Sequence, residues 1–316
     1  MRCVLVGNYG VGNIGDDALR EYFLSAFPEI DWVCVSASPH GKGEVPRLPL
    51  GFRSFFMPWW RTFSAIRSAD ALVFGGGSLF TDIESVWACL LWRSYASVAV
   101  LFGTPYVLAF QGTGPWKTAL GRSLARTTYR FASFVSVRDA ESLKRVRELV
   151  PTSEPVLSFD PAFALFAAYP KAAPRRRTLA VIPRANSGEM FFARVSEKLK
   201  EGWEAVTVLL LEPQSEEAVA LRMQQIAPTC RVVKVTSVSQ LLAEVAASSA
   251  AIVQRYHGAL AAAAMEIPVE IVPQAEGDKM DALRHVLGEQ NTRDAWLALI
   301  ESGVMKLREA LLQLHS

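Results

Sequence analysis

Residues 7–18 read GNYGVGNIGDDA, and this glycine-rich stretch decides how the fold begins. It follows the apolar run Cys3–Val6, which is long enough for a short buried strand, and precedes residues 18–27, whose apolar side chains recur at helical spacing. The order strand, loop, helix is typical of an α/β protein. Glycines in such a loop let a ligand approach the backbone, and the helix that follows offers N–H groups to an anion.

The loop also fits the dinucleotide fingerprint G-x-G-x-x-G, but two features argue against that interpretation. The fingerprint needs an acidic residue at the end of the second strand, whereas the strand predicted near residues 32–36 ends in serine and alanine. Asp16 and Asp17 would repel a pyrophosphate, although they suit a helix N-terminus. Carboxylates in a polar loop favour a site for sugar hydroxyls, with an ordinary helix cap as the alternative. Three further loop residues are candidate sugar ligands: Asn8, Tyr9 and Asn13.

Composition restricts the class of protein. The chain has 316 residues, which is long enough for two domains of ordinary size. Hydrophobic residues make up 51% and charged residues 20%, a balance typical of globular proteins with a substantial core. The formal net charge of +2 gives no electrostatic reason to expect nucleic acid as a partner. We therefore predict a globular protein that does not bind nucleic acid.

Cysteine usage and apolar stretches indicate the compartment. The four cysteines lack metal-ligand spacing, so we interpret them as reduced packing residues and predict no metal site. They are Cys3, Cys34, Cys89 and Cys230. The first strand starts at about residue 2, and no secretory signal precedes it. Residues 94–116 have nearly the length of a membrane span, but a turn at residues 103–105 divides them into helix and strand. The prediction is a cytoplasmic protein.

Strand-like runs alternate with helical patterns in both halves of the chain, which predicts parallel sheets covered by helices. A basic, proline-containing segment at residues 169–177 separates the halves and reads as a linker. We predict an N-terminal α/β domain at residues 1–168 and a C-terminal α/β domain at 178–290. Helices at 291–316 are candidates to pack back on the first domain. Two Rossmann-like domains facing across a cleft would offer a site for two substrates.

Ligands of parallel sheets gather at the carboxyl ends of the strands. Two predicted strands of the first half end in polar, glycine-rich turns, GGGSLFTD at residues 75–82 and QGTGP at residues 111–115. Four residues of these turns are candidate substrate ligands on the acceptor side: Gly77, Ser78, Asp82 and Gln111.

A second group of candidates lies in the other half of the chain. Arg255 and His257 follow a predicted strand and open an alanine-rich helix predicted at residues 258–265, and Arg184 follows the first strand of this half. Arginine binds carboxylate or phosphate bidentately, and histidine exchanges protons near neutral pH. In an extended segment, alternate residues share a side, so Arg255 and His257 would act together. A buried structural imidazole and a surface salt bridge are the respective alternatives for His257 and Arg184. Gly258 and Lys279 complete the candidate ligand set.

An aromatic loop precedes the third strand of the first half. Residues 55–60 read FFMPWW and are flanked by arginines. Packing beneath the loop is one interpretation. The other is an interfacial surface that contacts a lipid-linked substrate or the inner face of the membrane.

The chain resembles the polysaccharide pyruvyl transferases over residues 7–265. Six ordered motifs carry the resemblance: GNYGVGNIGDDA at 7–18, GGGSLFTD at 75–82, QGTGP at 111–115, SVRD at 136–139, DPAF at 160–163 and RYHGA at 255–259. The resemblance implies an architecture similar to two-domain GT-B glycosyltransferases. It also implies transfer of the pyruvyl group of phosphoenolpyruvate to a sugar, as a cyclic ketal, on a cell-surface polysaccharide or its lipid-linked precursor. Many relatives have Leu or Ile where Tyr256 stands, a departure that bears on the acceptor.

Roles for the candidates follow from that resemblance. Phosphoenolpyruvate carries a phosphate and a carboxylate, which Arg184 and Arg255 would bind. His257 would be the acid/base, while Asp16 and Asp17, with Asp82, would hold or activate the sugar hydroxyls. Phosphoenolpyruvate is then a co-substrate, and no separate cofactor or metal is needed. A GT-B nucleotide-sugar glycosyltransferase of envelope synthesis and a non-catalytic sugar-binding protein are the alternatives.

Overall fold

The computed structural model describes residues 1–49, 56–83, 85–170, 177–275, 279–288 and 292–315. Its strands are β1 (Arg2–Val6), β2 (Asp31–Ser36), β3 (Glu44–Pro46), β4 (Ala71–Gly77), β5 (Tyr106–Gln111), β6 (Phe134–Val137), β7 (Val156–Leu157), β8 (Thr178–Ile182), β9 (Ala205–Leu210), β10 (Arg231–Lys234), β11 (Ala250–Val253) and β12 (Val269–Ile271). The described helices are α1 (Ile14–Ala26), α2 (Trp60–Arg67), α3 (Val86–Leu101), α4 (Ala119–Arg130), α5 (Ala140–Leu149), α6 (Ala162–Ala167), α7 (Glu189–Leu199), α8 (Glu217–Ile226), α9 (Val238–Ala246), α10 (Tyr256–Ala264), α11 (Lys279–Gly288) and α12 (Arg293–His315).

The strands form two parallel sheets, which confirms the predicted fold class. The first has the order β3-β2-β1-β4-β5-β6-β7, and the second has the order β10-β9-β8-β11-β12. Central strands such as β4 (ALVFGGG) and β5 (YVLAFQ) are buried along their whole length. Strands covered by helices on both faces need such continuous apolar runs, which is why the sequence pattern identifies them.

The chain divides into two compact units. The first comprises Met1–Val11, Leu19–Pro161 and Trp296–Ser316, and the second comprises Gly12–Ala18 and Ala162–Ala295. The division therefore falls at Pro161, before the predicted boundary at residue 168. The reason is that α6 buries Ala162, Phe163 and Phe166 and packs against α10 of the second unit. Most of the predicted linker, residues 171–176, lies outside the described residues.

The last helix belongs to the first unit from Trp296 onward. Trp296 stacks on Phe159 with ring centroids 5.5 Å apart, and Arg308 Nε lies 2.8 Å from Glu29 Oε1. Position 303 is a glycine because a Cβ there would lie 2.4 Å from the hydroxyl of Ser158. The helix thus lies directly against the end of the first sheet.

Two smaller expectations can be compared with the structure. Residues 94–116 hold the end of α3, a turn and β5, as predicted, and no helix among the described residues is long and apolar enough to span a bilayer. Cys3, Cys34 and Cys89 are buried thiols, whereas Cys230 is only partly buried because it lies at the start of an edge strand. Cys230 nevertheless packs against the core of the second unit, in line with the packing role predicted for all four.

Candidate active site

In the second unit, α10 begins at Tyr256, directly after Arg255, whose backbone is still extended at φ −107° and ψ 130°. Tyr256 and His257 therefore occupy the first helical turn. The predicted same-side arrangement of Arg255 and His257 assumed an extended segment, and that assumption fails because the chain becomes helical at Tyr256. Both side chains remain at the carboxyl end of β11.

Two glutamates hold the guanidinium of Arg255. Its Nε donates to Glu216 Oε1 at 2.8 Å, and its Nη2 contacts Glu216 and lies 2.7 Å from Glu212 Oε2. Glu216 is fully buried, and its second oxygen accepts the amide of Glu212 at 2.9 Å. Within the described residues, no hydrogen bond involves Nη1 of Arg255. One edge of the guanidinium is thus fixed by carboxylates, and the opposite edge is left for a ligand.

The charges of this cluster stabilise one another. Burial by itself raises the pKa of Glu212, but the hydrogen bond and charge of Arg255, together with the charge of Arg184, bring that pKa below its ordinary value. Burial likewise lowers the pKa of Arg255, and both glutamates more than offset it, so the arginine stays protonated. Glu212 and Arg255 are consequently both ionised at neutral pH.

Arg184 follows β8, and its charge acts on Glu212. Its Nη1 donates to Gln274 Oε1 at 3.3 Å, and its backbone amide donates to Ser187 Oγ at 2.9 Å. The serine hydroxyl in turn donates to Gln254 Oε1 at 2.7 Å. This chain of hydrogen bonds fixes the loop after β8 against the ends of β11 and β12. The charges of two arginines therefore act on one carboxylate at the carboxyl edge of the second sheet.

His257 lies against the glycine-rich loop. A Cβ at Gly15 would fall 1.8 Å from Nδ1 of His257, so the imidazole occupies the space that any other side chain at position 15 would need. The amide of Gly15 donates to Asn13 Oδ1 at 3.0 Å, which makes Asn13 the cap of α1. Asp16 and Asp17 follow in the same first turn. Residues 12–18 thus meet the RYHGA motif inside one compact unit.

Two predicted ligands of the first unit make buried hydrogen bonds within the fold. Tyr9 is 1% exposed, and its hydroxyl donates to the carbonyl of Gly75 at 3.0 Å. Asp82 is 5% exposed and accepts the amides of Lys117 at 2.6 Å and Thr118 at 2.9 Å. Burial raises the pKa of Asp82, but the hydrogen bond from the Thr118 hydroxyl and those from the two amides bring it below its ordinary value. Such contacts favour structural roles for Tyr9 and Asp82.

The remaining predicted residues have varied surroundings. The amide nitrogen of buried Gln111 donates to the carbonyl of Phe74 at 3.1 Å, and Gly77 ends β4 with φ 82°. Asn8 Oδ1 accepts from Arg47 Nη2 at 2.9 Å. Gly258 lets α10 pack on β8, because a Cβ there would lie 2.9 Å from Ile182. Lys279 is the exposed first residue of α11.

A buried ion pair in the first unit was missed from the sequence. Arg138, 3% exposed, lies 2.9 Å from Asp160 Oδ2 through Nη1 and donates from Nη2 to Ser78 Oγ at 3.0 Å. Gly112 makes room, since a Cβ there would lie 2.8 Å from the guanidinium. The SVRD, DPAF, GGGS and QGTGP motifs thus meet at one point. Their positions after β4, β5, β6 and β7 were the available signal, but of the residues at this point only Ser78 was predicted as a ligand, and Arg138 and Asp160 were not.

Comparison with protein families finds one match. The family model described as polysaccharide pyruvyl transferase matches residues 13–270. A comparison with curated proteins found no match.

Similar solved structures share the architecture. UDP-N-acetylglucosamine 2-epimerase from Rickettsia bellii superposes with a TM-score of 0.61 at 9% identity, covering 99% of this chain and 96% of that one. Sucrose-phosphate synthase from Thermosynechococcus elongatus gives 0.60 at 10% identity and covers 99% of both chains. UDP-GlcNAc 2-epimerase from Neisseria meningitidis, bound to UDP-GlcNAc, gives 0.57 at 10% identity and covers 99% and 100%. At such identities the likeness shows the shared GT-B-type fold alone.

Proposed function

We propose, from the premise that this chain belongs to the polysaccharide pyruvyl transferase family, that it moves the pyruvyl group of phosphoenolpyruvate onto a saccharide. Two hydroxyls of the sugar add to the same carbon, and the product is a cyclic pyruvate ketal with release of phosphate. The acceptor is a cell-surface polysaccharide or its lipid-linked precursor.

The reaction sets clear requirements. The methylene carbon of phosphoenolpyruvate gains a proton and becomes a methyl group, which makes the neighbouring carbon electrophilic. The first sugar hydroxyl adds to that carbon, the bond to the phosphate oxygen breaks, and the second hydroxyl closes the ketal. Of the two hydroxyl protons, one balances the proton on the methyl group and the other leaves with phosphate. The site therefore needs an acid/base and cations for a carboxylate and a departing phosphate.

The second unit offers those groups. Arg184 and the Nη1 edge of Arg255 are assigned to the carboxylate and phosphate, because charge-assisted hydrogen bonds from arginine suit both groups. The N-terminus of α10 adds a favourable dipole for the leaving phosphate. No further cofactor takes part in this scheme, since phosphoenolpyruvate is itself a co-substrate.

The observation that carries the proposal is the approach of His257 to the backbone of Gly15. This approach places the motif that contains the acid/base next to the turn that contains Asp16 and Asp17. We assign proton delivery to His257 and the holding or activation of sugar hydroxyls to the two aspartates. Asn13 acts through the cap that fixes this turn.

The test is incubation with phosphoenolpyruvate and a panel of saccharides, with phosphate release and the methyl signal of the ketal followed by NMR. The proposal expects stoichiometric phosphate and ketal with at least one acceptor. Phosphate release without a ketal would contradict it. Turnover of a nucleotide sugar in the absence of phosphoenolpyruvate would favour the glycosyltransferase alternative. UDP-GlcNAc is included in the test because one structural neighbour binds it.

The aromatic residues near α2 bear on a lipid-linked acceptor. Phe56 and Trp60 are 75% and 63% exposed, whereas Trp59 packs on Phe63 with centroids 5.6 Å apart. Phe55 lies outside the described residues. We assign Phe56 and Trp60 to contact with lipid at the inner face of the membrane, and Trp59 to packing.

A further inference from the structure

An open cavity of about 450 Å³ lies in the first unit, and its lining includes none of the residues assigned to phosphoenolpyruvate. One wall is the loop after β5 with the start of α4, and the other is a face of α5. The α5 side chains that line it are at positions 141, 144, 145 and 148, which form one helical stripe. The cavity is thus a groove between two helices at the carboxyl end of β5.

Cations dominate the lining. Lys117, Arg122, Lys144 and Arg145 face two glutamates, Glu141 and Glu148, which leaves a net charge of +2. Arg145 is engaged, since its Nη2 lies 3.1 Å from Glu141 and its Nη1 donates to the carbonyl of Thr113 at 3.0 Å. The amine of Lys117 donates to the carbonyl of Ile83 at 2.7 Å. Within the described residues, Arg122 and Lys144 make no ion pair or hydrogen bond through their side chains, so one uncommitted cation stands on each wall.

The start of α4 supplies further donors. The carboxylate of Asp82 accepts hydrogen bonds from the backbone amides of Lys117 and Thr118. The hydroxyl oxygen of Thr118 accepts one from the amide of Gly121. In the described part of the chain, nothing accepts the amides of Ala119 and Leu120, and both residues are exposed at the cavity or beside it. A helix N-terminus between two uncommitted cations favours an anion.

We propose that this cavity binds the diphosphate group of a phosphorylated saccharide. Uncommitted cations stand on both walls, and a volume of about 450 Å³ accommodates a diphosphate with part of an attached sugar. The net charge of +2 complements the charge of a diphosphate diester. Anion binding here is independent of the proposed function, whereas its assignment to the acceptor substrate rests on that function. The acceptor is accordingly a diphosphate-linked sugar, and its carrier is either a nucleoside or an isoprenoid.

The experiment measures binding of inorganic pyrophosphate to the full chain by calorimetry at low ionic strength. The test variant is R122A/K144A, which removes one cation from each wall. The matched control is R126A/R147A, which removes two exposed cations from the same two helices outside the cavity lining. We expect Kd for pyrophosphate to rise about tenfold or more in the test variant and to change by less than about threefold in the control. Equal changes in both variants, or no saturable binding to the parent chain, would overturn the proposal.

Further arms identify the carrier and separate the two proposals. UDP and geranyl diphosphate are titrated in parallel, and the one that binds tighter than pyrophosphate identifies the carrier as nucleoside or isoprenoid. Binding of phosphoenolpyruvate should be unchanged in R122A/K144A. If that variant loses phosphoenolpyruvate binding as well, the cavity is the donor site and its assignment to the acceptor is wrong. If the protein binds pyrophosphate but shows no pyruvyl-transfer activity, the anion site is supported and only the proposed function is contradicted.

Discussion

The two units each bury an arginine at a strand end, and the comparison separates a structural clamp from a ligand-binding group. The Arg138 side chain is 4% exposed and is enclosed by Asp160 and Ser78. The Arg255 side chain is 11% exposed and is held along one edge by Glu212 and Glu216. Both are fixed by a carboxylate with no exposed surface. Of the two, Arg255 keeps a guanidinium edge to which no described residue hydrogen-bonds, which is why we assign it to a substrate and Arg138 to stability.

Glycine has the same function in each unit. Gly112 lets the backbone approach Arg138, and Gly15 lets it approach His257. In one unit the close approach seals a buried ion pair. In the other it brings a proton-transfer group to the first turn of α1. The predictions below test this contrast, beginning with the largest expected effect.

Replacing Asp160 with Ala should destabilise the first unit most. The substitution leaves the Arg138 guanidinium buried without its carboxylate, which typically costs about 3–5 kcal/mol of unfolding free energy. Urea denaturation measures the change. The control is Glu29→Gln, which disrupts an exposed pair with Arg308 and should cost less than about 1 kcal/mol. Similar losses in both variants would remove the distinction between clamp and surface pair.

Replacing Gly15 with Ala should abolish most of the activity and leave the fold intact. The added methyl group would occupy the position of His257 Nδ1, so the imidazole has to move away. We expect kcat to fall by about a hundredfold or more, since displaced catalytic groups lose that much. Gly188→Ala is the control, because a Cβ there meets nothing within 4 Å. A kcat for Gly15→Ala within about threefold of the parent would show that the histidine need not be where the structure places it.

Replacing Glu216 with Gln should weaken phosphoenolpyruvate binding. A neutral amide cannot hold the Arg255 guanidinium in the same way, and the open edge loses its orientation. We expect KM for phosphoenolpyruvate to rise about tenfold, with little change in KM for the sugar. The neighbouring Glu217 is exposed and serves as the control in Glu217→Gln. Equal effects on both substrates would contradict the assignment of Arg255.

The pH dependence of stability gives a smaller effect. The folded-state pKa of Glu212 lies below its ordinary value, so its ionisation contributes stability above that ordinary value. This contribution is lost as the pH falls through the folded pKa. Glu212→Gln should therefore flatten the acid limb of the unfolding free energy below about pH 4.5. An unchanged acid limb would mean that the Arg255 pair does not form in solution.

The smallest expected effect concerns the exposed aromatics. Trp60→Ser should weaken binding to vesicles that contain anionic lipid by a few-fold and leave the melting temperature unchanged. Trp59→Ser is the matched substitution, and it should lower the melting temperature because Trp59 packs on Phe63. If Trp60→Ser lowers the melting temperature and does not affect vesicle binding, the packing interpretation of the loop holds for both residues.

Local patterns in the sequence predicted the sheets well, because a strand buried on both faces must be apolar along its length. They placed the start of α10 two residues late, since neither Tyr256 nor His257 is a characteristic first-turn residue. Glu216 could not be found from the sequence. It acts on Arg255 across 39 positions, and an isolated glutamate at a helix start looks like an ordinary cap. The meeting of Gly15 with His257 likewise depends on tertiary packing, which no local period encodes.

The most direct test of the central claim is turnover by His257→Asn. Asparagine keeps a hydrogen-bonding group of similar size but does not transfer protons in the neutral range. The account predicts that kcat falls by about two to four orders of magnitude, that binding of phosphoenolpyruvate changes little, and that the pH profile loses one limb. A kcat within about threefold of the parent would contradict it and would assign the acid/base role to another residue, with Asp16 and Asp17 the first to examine.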